Sequence, residues 1–509
     1  MEGAAAPGVS AAAPPRRPPA VAQTGMQAEG KWEGDVIAAA HAQSGGRARG
    51  RAGALHLLDR TIFVGLLALI VLTAIPYGSA EPWWEAVFEC AVFALTALWI
   101  VEGLWRGSWR TARCPLLWPL LALSILAYSQ ALPVWGGPLG LTGASGAARQ
   151  ALSADPYETL LSATKLLSLT LALGLLLRYT EGPSRLRALV HVVSAVGVAS
   201  AVFGLVWRVA GQGVAGAALP ALVPEASFGQ FFNRNHFAFL MEMTLGLMLG
   251  VIAGAGRRRQ MRLAYLALSL PVWTALVLAN SRGGIISMFG QLLFFTLVLP
   301  RARGRDGVGG PGWWRPRRAV LVQVVASGLL LIAVTAGVVF VGGDAVLDRL
   351  ETVPTEFDRD RPDLRAKIRR LEIWDATWGL VKDHWWGGVG FGAYGAAIHQ
   401  YYDSSGRWTP QQAHNDYLEL LASGGLIGAS LGAWFLALII KCGRGRLRSE
   451  DPFRRAVCCG AFTGIFGIAI HSSVEFGLHV MVNALVFIGL VVIATVPGEE
   501  VGNSSLVPG

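Results

Sequence analysis

Long apolar runs, separated by short polar segments, recur along nearly the whole chain. A helix needs roughly 20 residues to cross a hydrocarbon layer of roughly 30 Å, and these runs reach that length. By this criterion the sequence predicts about twelve membrane spans. The predicted spans are residues 61–77, 84–104, 115–132, 159–178, 187–209, 235–254, 263–280, 284–300, 319–341, 414–440, 455–473 and 477–496.

Composition indicates the same class of protein. Of the 509 residues, 53% are hydrophobic and only 15% are charged, and the mean hydropathy is +0.47. A single water-soluble core would leave too much of this apolar surface exposed. We therefore predict an all-α fold, a polytopic transmembrane helical bundle of about 12 spans, with one long periplasmic loop that contains an amphipathic helix.

Polar segments divide the chain into five parts. The first, residues 1–57, is rich in Ala, Pro and Gly, lacks apolar periodicity, and is predicted to be a disordered cytoplasmic tail. Its basic residues are not followed directly by a short apolar region and a cleavage site, so no signal peptide is predicted. The other parts are spans 1–9 in 58–341, the periplasmic loop 342–413, spans 10–12 in 414–497 and a cytoplasmic tail at 498–509.

Lys and Arg residues set the predicted orientation. They are concentrated in alternate loops, which the positive-inside rule places in the cytoplasm. These loops are 106–113, 178–187, 257–262, 301–318 and 441–455. Basic residues also precede the first span, and the number of spans is even, so both termini are predicted to be cytoplasmic. The net charge of +10 is therefore mostly an orientation signal, and nucleic acid is not expected as a partner.

Unusual polar residues fall on the outer side of this topology. Their convergence predicts one extracytoplasmic site, because random placement would scatter polar groups over both faces. They are Asn233, Arg234, Asn235 and His236 before the sixth span, Ser281 and Arg282 between the seventh and eighth, His414 and Asn415 after the long loop, and His471, Glu475 and His479 around the last turn. Glu242, about one turn into the sixth span, is a buried carboxylate whose partner the sequence does not identify.

Two of these signals have structural alternatives. Arg282 can extend toward lipid headgroups as an ordinary surface residue, although an outward Arg in so short a loop runs against the positive-inside rule. Asn233 or Asn235 can cap the following helix. Capping is compatible with ligand contact, because the N-terminus of a helix also attracts anions.

Neither a metal site nor a disulfide is predicted. His471, Glu475 and His479 have the i, i+4 spacing of metal ligands, but the chain must reverse between the last two spans. Hydrogen-bonded packing at the rim of a cavity is therefore favoured for them. The five cysteines lie at or near cytoplasmic ends of spans or inside one, so no outer loop holds a pair. No cofactor is expected.

Residues 362–382 of the long loop are predicted to form the amphipathic helix. Apolar side chains recur there at helical spacing, and the Trp residues favour the membrane interface. These side chains are Leu364, Ile368, Leu371, Trp374 and Trp378. A second face carries Arg361, Arg365 and Arg369, with Arg370 beside them. Either this face binds anionic lipid headgroups, or Arg369 or Arg370 points into the site and neutralises a phosphate.

Four segments in order resemble the O-antigen ligase and polymerase family of bacterial inner-membrane glycan transferases. They are FFNRNHFAFL, SRGG, RLEIWDATWGLVKDHWWGGVGFGAY and HNDYLELLASGGLIG. The last fits the family pattern of His-Asn, nine residues, Gly, two residues and Gly, here His414, Asn415, Gly425 and Gly428. The resemblance covers roughly residues 225–480, and it implies a multi-pass protein of the bacterial inner membrane.

The resemblance implies transfer of a glycan from an undecaprenyl-diphosphate carrier to an acceptor sugar hydroxyl on the periplasmic face. The acceptor is lipid A core oligosaccharide for a ligase and another carrier-linked glycan for a polymerase. Arg282 and Arg370 match the family's arginines and are expected to stabilise the diphosphate, and His414 matches its histidine and is expected to act as the base. Membrane lipids are further expected partners. The residues predicted to bind substrate are Asn233, Arg234, Asn235, His236, Glu242, Arg369, Asn415, His471 and Glu475.

Two other classes of protein share some of these features. A transporter or flippase of lipid-linked glycans would also have about twelve spans, but such proteins commonly show internal repeats and ionisable residues near the bilayer midplane. Here no repeat is evident, and Lys165 and Glu242 are the candidates within predicted spans. A lipid-binding scaffold without catalysis would need the Arg and Trp features alone.

Overall fold

Helices dominate the regular structure in the computed structural model of the protein. It describes residues 51–75, 81–109, 114–133, 151–218, 228–254, 259–303, 370–402 and 409–497. The α-helices of these residues are α1 Arg51–Ala74, α2 Pro82–Arg106, α3 Leu117–Ala131, α4 Pro156–Tyr179, α5 Pro183–Ala218, α6 Arg234–Gly254, α7 Arg259–Leu278, α8 Arg282–Arg303, α9 Arg370–Asp383, α10 Tyr394–Ile398, α11 Asp416–Arg446, α12 Pro452–His471 and α13 Met481–Thr495. A 3₁₀-helix, Gly477–His479, joins the last two.

The helices confirm the predicted fold class, a membrane-spanning helical bundle. Within the described residues, 8 helices are long and apolar enough to cross a membrane, and three shorter apolar helices accompany them. Every predicted span coincides with an observed helix except 319–341, which lies outside the described residues. Helix α1 begins at Arg51, inside the segment 1–57 that was predicted as a tail.

Contacts divide the chain into two compact units at Arg60. Of the first unit, Met1–Arg60, the structure describes residues 51–60, which form the first turns of α1. The second unit, Thr61–Gly509, contains the other described helices and all of the candidate site residues.

Helices α6 and α12 form the centre of the bundle in the second unit. Of the most apolar 18-residue window of each helix, 78% is buried in α6 and 67% in α12, against 22% in the peripheral α2. Their backbones approach closely at Gly250 and Gly460, where a Cβ on Gly250 would lie 2.7 Å from the Cα of Gly460. Small residues at such contacts allow close packing of helices in a membrane.

A turn at residues 387–392 docks against an interruption in α11. Gly425 has φ +60°, a conformation that favours glycine, and the helical hydrogen bonding changes there. The Leu426 N–H donates to the Trp385 carbonyl at 2.7 Å, and the Val389 N–H donates to the Ala422 carbonyl at 2.9 Å. The first glycine of the HN-x9-G-x2-G pattern therefore marks the point where the segment before α11 packs against the bundle.

The predicted amphipathic helix is observed from Arg370 to Asp383, while its predicted first part lies outside the described residues. The face packed into the protein carries Ile373, Thr377 and Leu380. Trp378 is 51% exposed on the outer face, as expected for a side chain at a membrane interface.

Cysteine labelling can test the predicted orientation. Gln400 is exposed near the start of α11, and Gly445 is exposed near its end with open space around a Cβ. With the three accessible native cysteines (Cys90, Cys114 and Cys442) replaced by Ser, we expect an impermeant thiol reagent to label Gln400→Cys in intact cells. Gly445→Cys should react only after the membrane is permeabilised. The reverse pattern would contradict a periplasmic location for the site.

Candidate active site

The ends of several helices meet at one cavity with an empty volume of about 350 Å³. Its lining comes from α6, the α7–α8 turn, α9 and α12, and consists of Arg234, Asn235, Asn280, Arg282, Gly283, Arg370 and His471. Five of these residues were predicted site residues from separate parts of the sequence. The cavity is cationic, since three guanidinium groups contribute to its wall.

The α7–α8 turn holds Arg282 at the start of a helix. Asn280 adopts φ +54°, a left-handed conformation that Asn tolerates better than most residues. The Ser281 hydroxyl accepts a hydrogen bond from the Gly284 N–H at 3.2 Å. Arg282 is thus the first residue of α8, next to the positive end of the helix dipole, where an anion is stabilised.

Helix α6 presents a similar N-terminus to the cavity. The Asn233 side-chain oxygen accepts a hydrogen bond from the Asn235 N–H at 2.8 Å. Asn233 therefore caps α6, one of the two roles considered for it. Arg234 and Asn235, the next two residues, line the cavity.

Glu475, in the connection after α12, gathers three of the predicted site residues. Its side chain is 1% exposed. Arg370 Nη2 donates to Oε2 at 2.9 Å, His414 Nδ1 lies 2.8 Å from Oε1, and the Asn235 amide donates to Oε2. Burial raises the pKa of Glu475, but the hydrogen bond and charge of His414, with the charge of Arg370, lower it to about 2.

The ionised Glu475 determines the tautomer of His414. A carboxylate only accepts hydrogen bonds, so the proton of a neutral His414 ring must reside on Nδ1. The lone pair is then on Nε2. The ring also packs edge to face against Phe476, with centroids 4.9 Å apart, and its side chain is 33% exposed. Glu475 and Phe476 therefore fix the orientation of the His414 ring.

The backbone at His414 is strained, and the following residue, Asn415, anchors it to the start of α11. His414 has φ +49°, an uncommon conformation for a non-glycine residue that costs on the order of 1–3 kcal/mol. Asn415 accepts hydrogen bonds from the Tyr417 and Leu418 N–H groups at 3.1 and 3.0 Å. Asn415 is thus the N-cap of α11, and it fixes the start of the helix directly after His414.

A second histidine–carboxylate pair lies within the bundle. Glu242 is fully buried, and its Oε1 is 2.7 Å from His471 Nδ1. Its Oε2 accepts a hydrogen bond from the Ser287 hydroxyl at 2.7 Å. His471 and Ser287 are therefore the partners that the sequence left unidentified. Ser287 has no sequence signal of its own, because it lies within an apolar span.

Several predicted site residues are not among those that line the cavity: the predicted base His414 and the predicted substrate-binding residues Asn233, His236, Glu242, Arg369, Asn415 and Glu475. His236 is 9% exposed and packs edge to face against Phe476, with ring centroids 4.7 Å apart. Arg369 lies outside the described residues, whereas its neighbour Arg370 lines the cavity. Asn280 and Gly283 were not predicted, although both belong to the NSRGG segment that also contains Arg282.

The chain reverses between α12 and α13, as expected. Helix α12 ends at His471, and the 3₁₀-helix Gly477–His479 follows, so His471, Glu475 and His479 do not share one helix face. Among the residues that the structure describes, no group of three His, Cys, Asp or Glu side chains is placed to hold a metal ion.

Comparisons with known proteins bear on the family of the chain. The curated proteins give no match. A family model described as O-antigen ligase matches residues 264–433, about a third of the chain, from α7 into α11. The matched segment contains Arg282, Arg370 and His414. The match confirms the resemblance drawn from the motifs: residues 264–433 are similar to the O-antigen ligase family.

Proposed function

We propose that the protein is a membrane glycosyltransferase that moves a glycan from undecaprenyl diphosphate to an acceptor sugar hydroxyl on the periplasmic face. The family match supports glycan transfer of the O-antigen ligase or polymerase type. The carrier and the residue roles are our proposal. The observation that carries it is the cavity of about 350 Å³, whose wall includes Arg234, Arg282 and Arg370 and adjoins the His414–Glu475 pair.

The arginines match the charge that develops during this reaction. The bond between the anomeric carbon and the phosphate oxygen breaks, and its electron pair goes to the departing diphosphate. Guanidinium groups at this position stabilise the new negative charge more in the transition state than in the bound donor. Arg282 lies at a helix N-terminus and Arg370 is held by Glu475, so both are oriented before the donor binds.

His414 would complete the reaction on the acceptor side. The acceptor hydroxyl oxygen forms a bond to the anomeric carbon and transfers its proton to His414 Nε2. Glu475 accepts from Nδ1 and stabilises the imidazolium that results. Glu475 is then a positioning residue, since its carboxylate contacts Arg370, His414 and Asn235.

Replacement of the arginines by Lys tests the proposal. A Lys keeps the charge but loses the two-pronged contact of a guanidinium with phosphate. Because a charge-assisted hydrogen bond contributes about 1.5–3 kcal/mol, we expect Arg282→Lys and Arg370→Lys each to lower the rate of transfer about 10- to 100-fold. The rate would be measured with purified protein and carrier-linked glycan.

The matched control is Arg448→Lys, an exposed residue near the predicted cytoplasmic end of α11, which should retain full activity. Near-normal transfer by both cavity variants would contradict a diphosphate site at these arginines.

The same assay can supply lipid A core oligosaccharide and a carrier-linked glycan as competing acceptors. Use of lipid A core oligosaccharide would identify a ligase, and exclusive use of the carrier-linked glycan would identify a polymerase.

A further inference from the structure

The Glu242–His471 pair has no role in the mechanism proposed above, yet it adjoins the same cavity. The two side chains are 0% and 1% exposed, and they come from the central helices α6 and α12. Glu242 Oε1 contacts His471 Nδ1 at 2.7 Å, and Ser287 occupies its other oxygen. A buried carboxylate with these partners fixes the orientation of the imidazole.

The opposite edge of the His471 ring faces the cavity wall. His471 is one of the lining residues, and a Cβ on its lining neighbour Gly283 would lie 2.5 Å from both Nε2 and Cδ2. Phe239 packs against the ring at a centroid distance of 4.3 Å and restricts its tilt. Nε2 is thus directed toward the first turn of α8, where Arg282 begins the helix.

Charge balance indicates which state of His471 this arrangement favours. An isolated buried carboxylate is strongly unfavourable, whereas a carboxylate beside an imidazolium forms a pair that is neutral as a whole. The imidazolium carries protons on both nitrogens, so Nε2–H is a donor. The charged residues that line the cavity, Arg234, Arg282 and Arg370, are all cations. Glu475 pairs with Arg370, so a bound anion would be stabilised mainly by Arg234 and Arg282.

We propose that His471 is a further catalytic residue, which donates a hydrogen bond from Nε2 to the diphosphate of the lipid-linked donor. This proposal rests on the proposed function. No proton needs to move: the C–O bond breaks, its electron pair goes to the phosphate oxygen, and the His471 hydrogen bond strengthens as negative charge accumulates there. Glu242 is then a positioning residue that acts through His471.

Two substitutions separate this role from a purely structural one. The Asn side chain reproduces the Nδ1 donor, so His471→Asn keeps the bond to Glu242 and removes the group directed at the cavity. The Gln side chain reproduces the Nε2 donor, so His471→Gln keeps the group directed at the cavity. If His471 contacts the diphosphate, Asn is the more harmful change; if it only supports Glu242, Gln is.

The measurement is the affinity of purified protein in nanodiscs for undecaprenyl diphosphate without a glycan. We expect His471→Asn to weaken binding about 10- to 100-fold, the effect of one charge-assisted hydrogen bond, and His471→Gln to weaken it less. The control is His479→Gln, an accessible histidine in the same chain reversal that does not line the cavity, and its affinity should be unchanged.

Glu242→Gln provides a second test if the His471 variants do not fold. It is isosteric, keeps an acceptor for Nδ1, and removes the charge that favours the imidazolium, so binding should weaken about tenfold although no lining residue changes. Unchanged affinity in this variant, or a His471→Gln variant weaker than His471→Asn, would overturn the proposal. If the wild-type protein itself failed to bind undecaprenyl diphosphate, the proposed function would fail as well.

Discussion

Replacement of His414 by Asn is expected to lower glycan transfer by about 10² to 10⁴, the usual contribution of a general base. Donor affinity should stay close to that of the wild type. The Asn amide can donate to Glu475 in place of Nδ1, and Asn tolerates the left-handed backbone that His414 adopts at φ +49°. The change therefore removes the basic Nε2 and leaves the rest of the cluster in place.

Single-turnover measurements with purified protein distinguish this loss from slow product release. His479→Asn is the control, because His479 is a histidine of the same chain reversal without contact to Glu475. Wild-type turnover in His414→Asn would show that His414 is not the base. A collapse of donor affinity would instead place His414 in the diphosphate site.

The sequence predicted the bundle well because the relevant physics is local. About 20 apolar residues are needed to span a bilayer, and that length is visible in one sequence window. One boundary was less accurate. Helix α1 begins at Arg51, before the predicted first span at residue 61, and its first residues were assigned to the tail because charged side chains among them interrupt the apolar run.

Topology alone brought together residues that lie far apart in sequence. Sorting polar groups by membrane side grouped Arg234, Arg282, Arg370 and His471, and these line one cavity. The partners within the site were not predictable in this way. Contacts such as Glu475 with His414, 61 residues apart, depend on how helix ends pack, which a hydropathy pattern does not encode.

The sequence also did not predict which face of α9 packs against the bundle. Apolar side chains occur on two faces, one with Ile373 and Leu380, the other with Trp378. Near a bilayer an apolar face can contact either lipid or the protein, because lipid is as apolar as a protein interior. Helical periodicity therefore predicted that α9 exists but left open which face contacts the bundle.

Glu475→Gln should be among the most damaging single changes outside the residues that contact substrate. The carboxylate of Glu475 accepts from Arg370 and Asn235 on one oxygen and from His414 on the other. An amide has one acceptor and one donor, so it cannot satisfy both sides. If its oxygen faces Arg370, its NH₂ faces His414 Nδ1, which must then give up its proton and accept.

That rearrangement moves the His414 proton to Nε2, the nitrogen that must accept the acceptor-hydroxyl proton. The corresponding Asp-to-Asn change in serine proteases lowers kcat about 10⁴-fold through the wrong tautomer. We expect a fall in kcat of about 10² to 10⁴ here. Donor affinity should be unchanged or tighter, because the charge of Arg370 is no longer neutralised by Glu475.

The Glu475 carboxylate itself should not titrate in the assay range. The pKa of Glu475 is about 2, below its ordinary value of 4.5, so its stabilising interactions are complete above pH 4.5 and are lost only as the pH falls toward 2. Changes in wild-type activity above about pH 5 must therefore come from other groups.

Glu419→Gln is the matched control for Glu475→Gln, because Glu419 is a buried carboxylate in the first turn of α11, close in sequence to His414. Its Oε2 accepts from the Ala413 N–H at 2.9 Å, a bond that an amide oxygen can replace, so turnover should change little. The measurement is the kinetics of both variants, with kcat and donor KM determined separately. It shows whether Glu475 acts through the tautomer of His414. If Glu475→Gln kept wild-type kcat, the tautomer of His414 would not depend on this carboxylate. If it raised donor KM with kcat unchanged, Glu475 would serve the diphosphate site through Arg370 alone.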